Sequence, residues 1–287
     1  MGSGTLTSNV TGVDIATAAV TALFVPGDRP ERFVKAASAG AGVVIIDLED
    51  AVAPASKDAA LAAVVEALTA GEIRALVRVN AKDSETHDAE ILALLDVTAR
   101  EGHGLLGLVL PKADDPGLVA GIRGLFPPDL ALVPLIESAA GLVHSLDLAR
   151  VPGVTRLAFG AIDFALDIDA SGEDRFLDHA RSQLVVASRA AGIAAPLDSP
   201  CVDIQDEGEI EESALLARKF GFGGKLCIHP RQVAAVTVAF VPSEAEVAWA
   251  RSVIGAEGAA VQVDGKMIDR PVTDRAKRIL AKAGKEF

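Results

Sequence analysis

Short apolar runs rich in β-branched residues recur along the chain at a nearly constant pitch, each followed by a stretch with helical spacing. The runs are Leu23-Phe24-Val25, Val43-Val44-Ile45-Ile46, Ala75-Leu76-Val77-Arg78-Val79 and Leu106-Gly107-Leu108-Val109-Leu110. They continue with Leu132-Val133-Pro134-Leu135-Ile136, Arg156-Leu157-Ala158-Phe159, a weak Ala195-Pro196-Leu197, and Lys225-Leu226-Cys227-Ile228. Strands apolar on both faces belong to a parallel sheet covered by helices. Between them the spacing predicts helices over Asp58–Leu68, Glu85–Leu95, Leu142–Ala149, Asp178–Ala191 and Glu209–Phe220. Phe24 to Ile228 spans 204 residues in seven steps. That is about 29 residues per step, the size of a βαβ unit, and eight such units make a (β/α)8 TIM barrel. An open doubly wound sheet is the competing architecture, but no G-x-G-x-x-G turn follows the first strand. Gly221-Phe222-Gly223-Gly224 precedes the last strand and reads as a helix stop and turn. The expected organisation is an N-terminal tail (1–20), the barrel (21–250) and a C-terminal lid or helix (251–287).

Composition narrows the partners. The 287 residues carry a formal charge of −13, and half of them are apolar. An apolar fraction that high offsets the entropy of ordering the chain. The acidic excess argues against nucleic acid or an anionic membrane surface as the main partner. Cys201 and Cys227 are too few for a disulfide framework and read as buried small hydrophobes. No run reaches about 18 uninterrupted apolar residues, and no signal-peptide pattern opens the chain, so a cytoplasmic location is expected.

In a parallel barrel the chemistry lies where strands end. Here those ends read Pro26-Gly27-Asp28-Arg29, Asp47-Leu48-Glu49-Asp50, Arg78-Val79-Asn80, Pro111-Lys112, Glu137-Ser138, Gly160-Ala161-Ile162-Asp163, Asp198-Ser199 and His229-Pro230. Charges converging on one mouth are costly unless a metal or a charged ligand pairs them. Asp47, Glu49, Asp50, Glu137 and Asp163 facing Arg29, Arg78 and Lys112 suggest an oxygen-rich divalent site beside an anion clamp. Magnesium suits few carboxylates, and manganese substitutes for it. Zinc suits the set less, since only His229 stands at a strand end. Arg78 on an apolar strand suggests a planar fork aimed at a carboxylate or carbonyl. Lys112 as a Schiff-base nucleophile is disfavoured, because nearby carboxylates keep it charged. His87, His103, His144 and His179 fall on helices or loops and read as surface or helix-face residues.

Eight segments carry a family resemblance: LFVPGDRPERF (23–33), IIDLEDAV (45–52), VRVN (77–80), LPK (110–112), PLIES (134–138), FGAIDF (159–164), GKLCIHP (224–230) and DGKMIDRP (264–271). In order and together, they make the chain resemble citrate lyase β-subunit-like proteins of the HpcH/HpaI aldolase and malyl-CoA lyase superfamily. The resemblance implies a magnesium-dependent barrel enzyme that makes or breaks a carbon–carbon bond next to a thioester. It implies Glu137 and Asp163 as metal ligands, with Glu49 and Asp50 reaching the metal through water. Arg78 would hold the 2-oxoacid, with Arg29 and Lys112 near the ligand mouth. It further implies a homotrimer or homohexamer whose C-terminal lid carries Asp269 into a neighbour's site. Desolvation beside Met267 and Ile268 would raise the pKa of Asp269 and suit it as a base; otherwise it is the N-terminal charge of a helix over Thr273–Ala283.

Coenzyme A is polyanionic, so its phosphates need a local cluster, for which Arg29, Arg32, Lys35 and Arg231 are candidates. The expected activity is cleavage of a 3-hydroxyacyl-CoA such as malyl-CoA or citramalyl-CoA. The alternatives are a citrate lyase β subunit acting on a carrier-bound citryl thioester, or a thioesterase or malate-synthase-type reaction at the same site.

Overall fold

All eight apolar runs are strands in the computed structural model, which describes residues 10–171, 174–255, 262–263, 266–267 and 269–284. They are β1 (Thr21–Pro26), β2 (Val43–Asp47), β3 (Ala75–Arg78), β4 (Leu105–Leu110), β5 (Ala131–Ile136), β6 (Arg156–Phe159), β7 (Ala194–Asp198) and β8 (Gly224–Cys227). Every neighbouring pair is parallel, and β8 returns to β1, closing the barrel. Alternation along each strand points Ala22, Ile45, Leu76, Val133, Ala158 and Leu226 into one buried interior cluster. At Gly107 the alternation breaks. Its φ is +149°, and a Cβ there would lie 2.1 Å from the Ala131 carbonyl oxygen. The β3–β4 register shifts at this level, as a bulge requires, and Leu106 and Val109 both join the interior cluster.

The connections carry α2 (Phe33–Ala37), α3 (Lys57–Thr69), α4 (His87–Thr98), α5 (Pro116–Leu125), α6 (Ala139–Val143), α7 (Ser145–Arg150), α8 (Ala161–Asp167), α9 (Asp178–Ala191) and α10 (Glu207–Phe220). The helix expected over Leu142–Ala149 is two short ones, parted at His144. His87 is buried, not a surface residue, with Nδ1 2.7 Å from the Asn80 carbonyl oxygen.

The expected N-terminal tail contains a helix, α1 (Gly12–Ala18), started by a Thr11–Asp14 capping box. It closes the end of the barrel where the strands begin. Ala16 and Ala19 join the interior cluster, and Val13 N–H donates to the Asp129 carbonyl. Arg156, buried at the start of β6, clamps this end. Its Nη1 donates to the carbonyls of Ala16 and Ala19 at 2.9 and 2.7 Å, and its Nε to that of Ala195 at 3.0 Å. Burial with no carboxylate partner pulls its pKa down to about 10.

The chain divides into two compact units between Val236 and Thr237. A stretch over Pro230–Gly255 has the length and composition to cross a membrane, at mean hydropathy 1.3. It folds as two helices, α11 (Pro230–Phe240) and α12 (Glu244–Gly255). The C-terminal unit also holds the two-residue strands β9 (Gln262–Val263) and β10 (Lys266–Met267), and α13 (Arg270–Lys282). Ala250 and Val253 of α12 pack on Ala276 and Leu280 of α13, giving this unit its own core. Arg275 lies over the Trp249 ring, 5.1 Å from its centroid. Both cysteines are free and buried, as expected.

Candidate active site

The polar strand ends converge at the C-terminal mouth, where β2 and β3 supply a two-point contact. Asp47 and Arg78 are register partners. Arg78 Nε donates to Asp47 Oδ1 and Nη2 to Oδ2, both at 2.7 Å. The same carboxylate accepts from the backbone N–H of Glu49 and Ala51, so Asp47 also shapes the loop leaving β2. On the other side of the guanidinium, Nη1 reaches Asp50 Oδ2 at 3.3 Å. Nη1 also lies 3.0 Å from Glu49 Oε2, without hydrogen-bond alignment, so that buried oxygen has no donor. The Phe24 ring backs Arg78, 4.9 Å from Cζ to centroid. Burial pulls the Arg78 pKa down, but the bond to Asp47 and the charges of Glu49 and Asp50 outweigh it and leave the pKa raised.

Glu137 leaves β5 buried, and its Oε1 accepts the Lys112 backbone N–H at 2.7 Å. Lys112 adopts a left-handed φ of +47°, a strained setting for a non-glycine residue. That conformation aims its N–H at Glu137, while its exposed ammonium stands 4.0 Å from Glu49 Oε1. Gly160 makes room for Glu137, since a Cβ there would lie 2.6 Å from Oε2. Asp163 sits in the first turn of α8, where the helix dipole favours a negative charge.

These carboxylates outnumber the cations beside them. Burial, chiefly, pushes Glu49 up to about 8, with Arg78 opposing and Glu137, Asp50 and Asp47 adding to the rise. Burial likewise pushes Glu137 up to about 7; the Lys112 N–H opposes this and Asp163 adds to it. Buried acids short of positive charge, one with an orphaned oxygen, fit a hard divalent cation. Among the described residues no three His, Cys, Asp or Glu side chains gather to bind one unaided.

Of the residues expected from the sequence, Arg78, Glu49, Asp50, Glu137 and Lys112 come together, and Asp163 lies close enough to act on Glu137. Arg29 does not join them through any described contact. It is exposed and pairs with Glu31 at 2.9 Å. Arg32, Lys35 and Arg231 are likewise exposed. Asp269 caps α13 in the C-terminal unit, accepting from Val272 N–H at 3.1 Å; its neighbour Ile268, and the side chain of Met267, lie outside the described residues.

Sequence reasoning counted Asp47 among the carboxylates but missed its role as the fork that orients Arg78. It also missed a polar network behind the site. Lys57 Nζ donates to the carbonyls of Leu48 and Glu49 at 2.8 and 2.7 Å and to Asn80 Oδ1 at 2.7 Å. Asn80 Nδ2 donates to the Leu48 carbonyl and to the buried Glu90, which also accepts the Asn80 backbone N–H. Asn80 alone left a trace in the sequence, two residues beyond Arg78 on the same strand end.

The HpcH/HpaI aldolase/citrate lyase profile matches residues 21–230, the whole barrel. The chain belongs to this family. A citrate lyase subunit beta-like protein of Mycobacterium tuberculosis is 37% identical over 91% of this chain and 94% of its own length. An L-malyl-CoA/beta-methylmalyl-CoA lyase of Cereibacter sphaeroides is 32% identical over 91% of this chain and 93% of its own. The crystal structure of CitE from M. tuberculosis with magnesium, acetoacetate and coenzyme A superposes with a TM-score of 0.82 at 34% identity. That match covers 93% of this chain and 99% of the other. Family membership, the closed barrel and a citrate-lyase-β-like carbon–carbon lyase thus stand as the sequence led us to expect.

Proposed function

We propose that this member of the family cleaves the carbon–carbon bond of a 3-hydroxyacyl-CoA such as malyl-CoA or citramalyl-CoA, with magnesium at Glu137 and Asp163. The observation that carries this reading is the forked Arg78–Asp47 pair set among buried acids whose pKa values burial raises. Relatives crystallised with magnesium, a 2- or 3-oxoacid or coenzyme A add to it. Magnesium bound there supplies Lewis-acid stabilisation of charge on the substrate's hydroxyl oxygen.

The remaining chemistry falls to the chain. Cleavage removes the proton from the 3-hydroxyl, breaks the bond between the α- and β-carbons, and returns a proton to the thioester α-carbon. Arg78 presents fixed positive charge toward the oxoacid half and pays little reorganisation, because Asp47 already holds its fork. Glu49 and Asp50 hold the other edge of the guanidinium and stand beside the reacting centre, where they hold or pass a proton. Asp269 is our candidate base, delivered by the C-terminal segment of a neighbouring subunit in a cytoplasmic homotrimer or homohexamer. Lys112 and Arg29 lie on loops of the mouth and serve the anionic ligand.

Incubation with magnesium and malyl-, citramalyl- and citryl-CoA, with products identified by mass spectrometry, tests the proposal. We expect an oxoacid and a shortened acyl-CoA, lost in Glu137→Ala; normal metal affinity and turnover in that variant would overturn the assignment. The likeness to a citrate lyase subunit beta-like protein supports a second reading, action on a carrier-bound citryl thioester. In that case free acyl-CoA is inert until a carrier protein is added.

A further inference from the structure

The loop from Asp47 to Ala51 is gripped twice. Arg78 takes its side chains, Asp47, Glu49 and Asp50. Lys57 and Asn80 take its backbone, through the Leu48 and Glu49 carbonyls. The second grip is fully determined. Lys57 has only donors, so Asn80 must turn Oδ1 toward it, which leaves Nδ2 for Glu90 and the Leu48 carbonyl. Glu90 is buried and holds Asn80 by backbone and side chain together. Lys57 also opens α3, where a cation opposes the helix dipole, so helix formation does not account for a lysine here. Its three acceptors do, and two of them are the carbonyls flanking the Glu49 nitrogen and leaving its Cα.

Glu49 itself needs such restraint. Its carboxylate is buried, one oxygen has no donor, and the next residue along, Asp50, is exposed. A free backbone at 48–49 lets Glu49 swing to solvent and leaves Arg78 without one partner.

We propose that Lys57, with Asn80 and Glu90 behind it, is a positioning residue that fixes the Glu49 backbone and so aims its carboxylate at the Arg78–Glu137 centre. This rests on the metal-site reading above, so the test has one readout that depends on metal and one that does not. The first is Mn2+ affinity, measured with the metal alone by electron paramagnetic resonance. The second is amide hydrogen exchange of the 48–52 segment in metal-free protein.

In Lys57→Met we expect Mn2+ affinity to fall about tenfold or more, as when supporting partners of a metal site are lost, and exchange at 48–52 to rise while the rest of the barrel keeps its protection. n-Butylammonium, which matches the deleted side chain, should restore both in Lys57→Gly, since the ammonium site is only partly buried. Wild-type affinity and protection in Lys57→Met would overturn the proposal. So would a barrel-wide rise in exchange, because Lys57 would then support the fold at large. If wild-type protein fails to bind Mn2+, the metal reading falls, and exchange at 48–52 still decides the role of Lys57.

Discussion

Asp47 and Arg78 meet fork to fork across β2 and β3, with both N–O distances at 2.7 Å and both side chains buried. Asp47→Asn keeps the shape but replaces one acceptor oxygen with a donor facing Arg78. Breaking one side of a buried pair costs about 3–5 kcal/mol, to be read by denaturant unfolding. Activity should fall with it. Arg78→Lys should also lose activity, since a lysine cannot reproduce the two-point contact.

The raised pKa values of Glu49 and Glu137 set the sign of a pH effect. Both lie above the ordinary value of 4.5 in the folded protein, at about 8 and about 7. Between the ordinary and raised values the folded state binds more protons than the unfolded state, so stability of the metal-free protein falls as pH rises through this window. A bound cation favours the charged forms and opposes the trend. Thermal melts from about pH 5 to 8 should show Tm falling without magnesium and the stabilisation by magnesium growing with pH.

Gly160→Ala should damage the site while sparing the backbone. Gly160 has a φ of −101°, open to alanine, but the new Cβ would stand 2.6 Å from Glu137 Oε2 and 2.8 Å from its Cβ. Glu137 must move. Metal affinity should drop about 10- to 100-fold, measured by calorimetry, with a stability loss of about 1–3 kcal/mol from overpacking.

Asp269→Asn separates a cap from a base. Asparagine caps helices as well as aspartate, so α13 and Tm should be unchanged. If Asp269 moves the proton, kcat should fall about 10²- to 10⁴-fold, which steady-state kinetics reads directly.

Arg156→Met probes the opposite end of the barrel. It strips donors from the carbonyls of Ala16, Ala19 and Ala195, and each carbonyl left dry costs about 1–3 kcal/mol. Unfolding should come earlier, with kcat/KM unchanged below the transition, because that end serves stability and the other end chemistry.

The strand rhythm was readable to within one or two residues because apolar runs and helical spacing are local properties. Asp178–Ala191 is α9 residue for residue. The charged mouth was readable too, since a strand's last residue is known once the strand is. Helix α1 was hidden: its seven residues carry little hydrophobic pattern, and its alanines are buried only because the barrel floor meets them. The split between units was hidden for the same reason, since α12 is assigned by its partner α13.

By itself the sequence determined eight parallel strands, their closure into a barrel, and the end at which acids and cations gather. Only the tertiary structure decided that Arg78 takes Asp47 as its fork, that Lys57 and Asn80 hold the Glu49 backbone, and that Arg29 turns to Glu31 instead. Those choices depend on register between neighbouring strands and on which groups lose water. Both arise from contacts between residues far apart in the chain. The same holds for the acids of the mouth: their number is written in the sequence, but the burial that raises two of them toward neutrality exists only once the barrel closes.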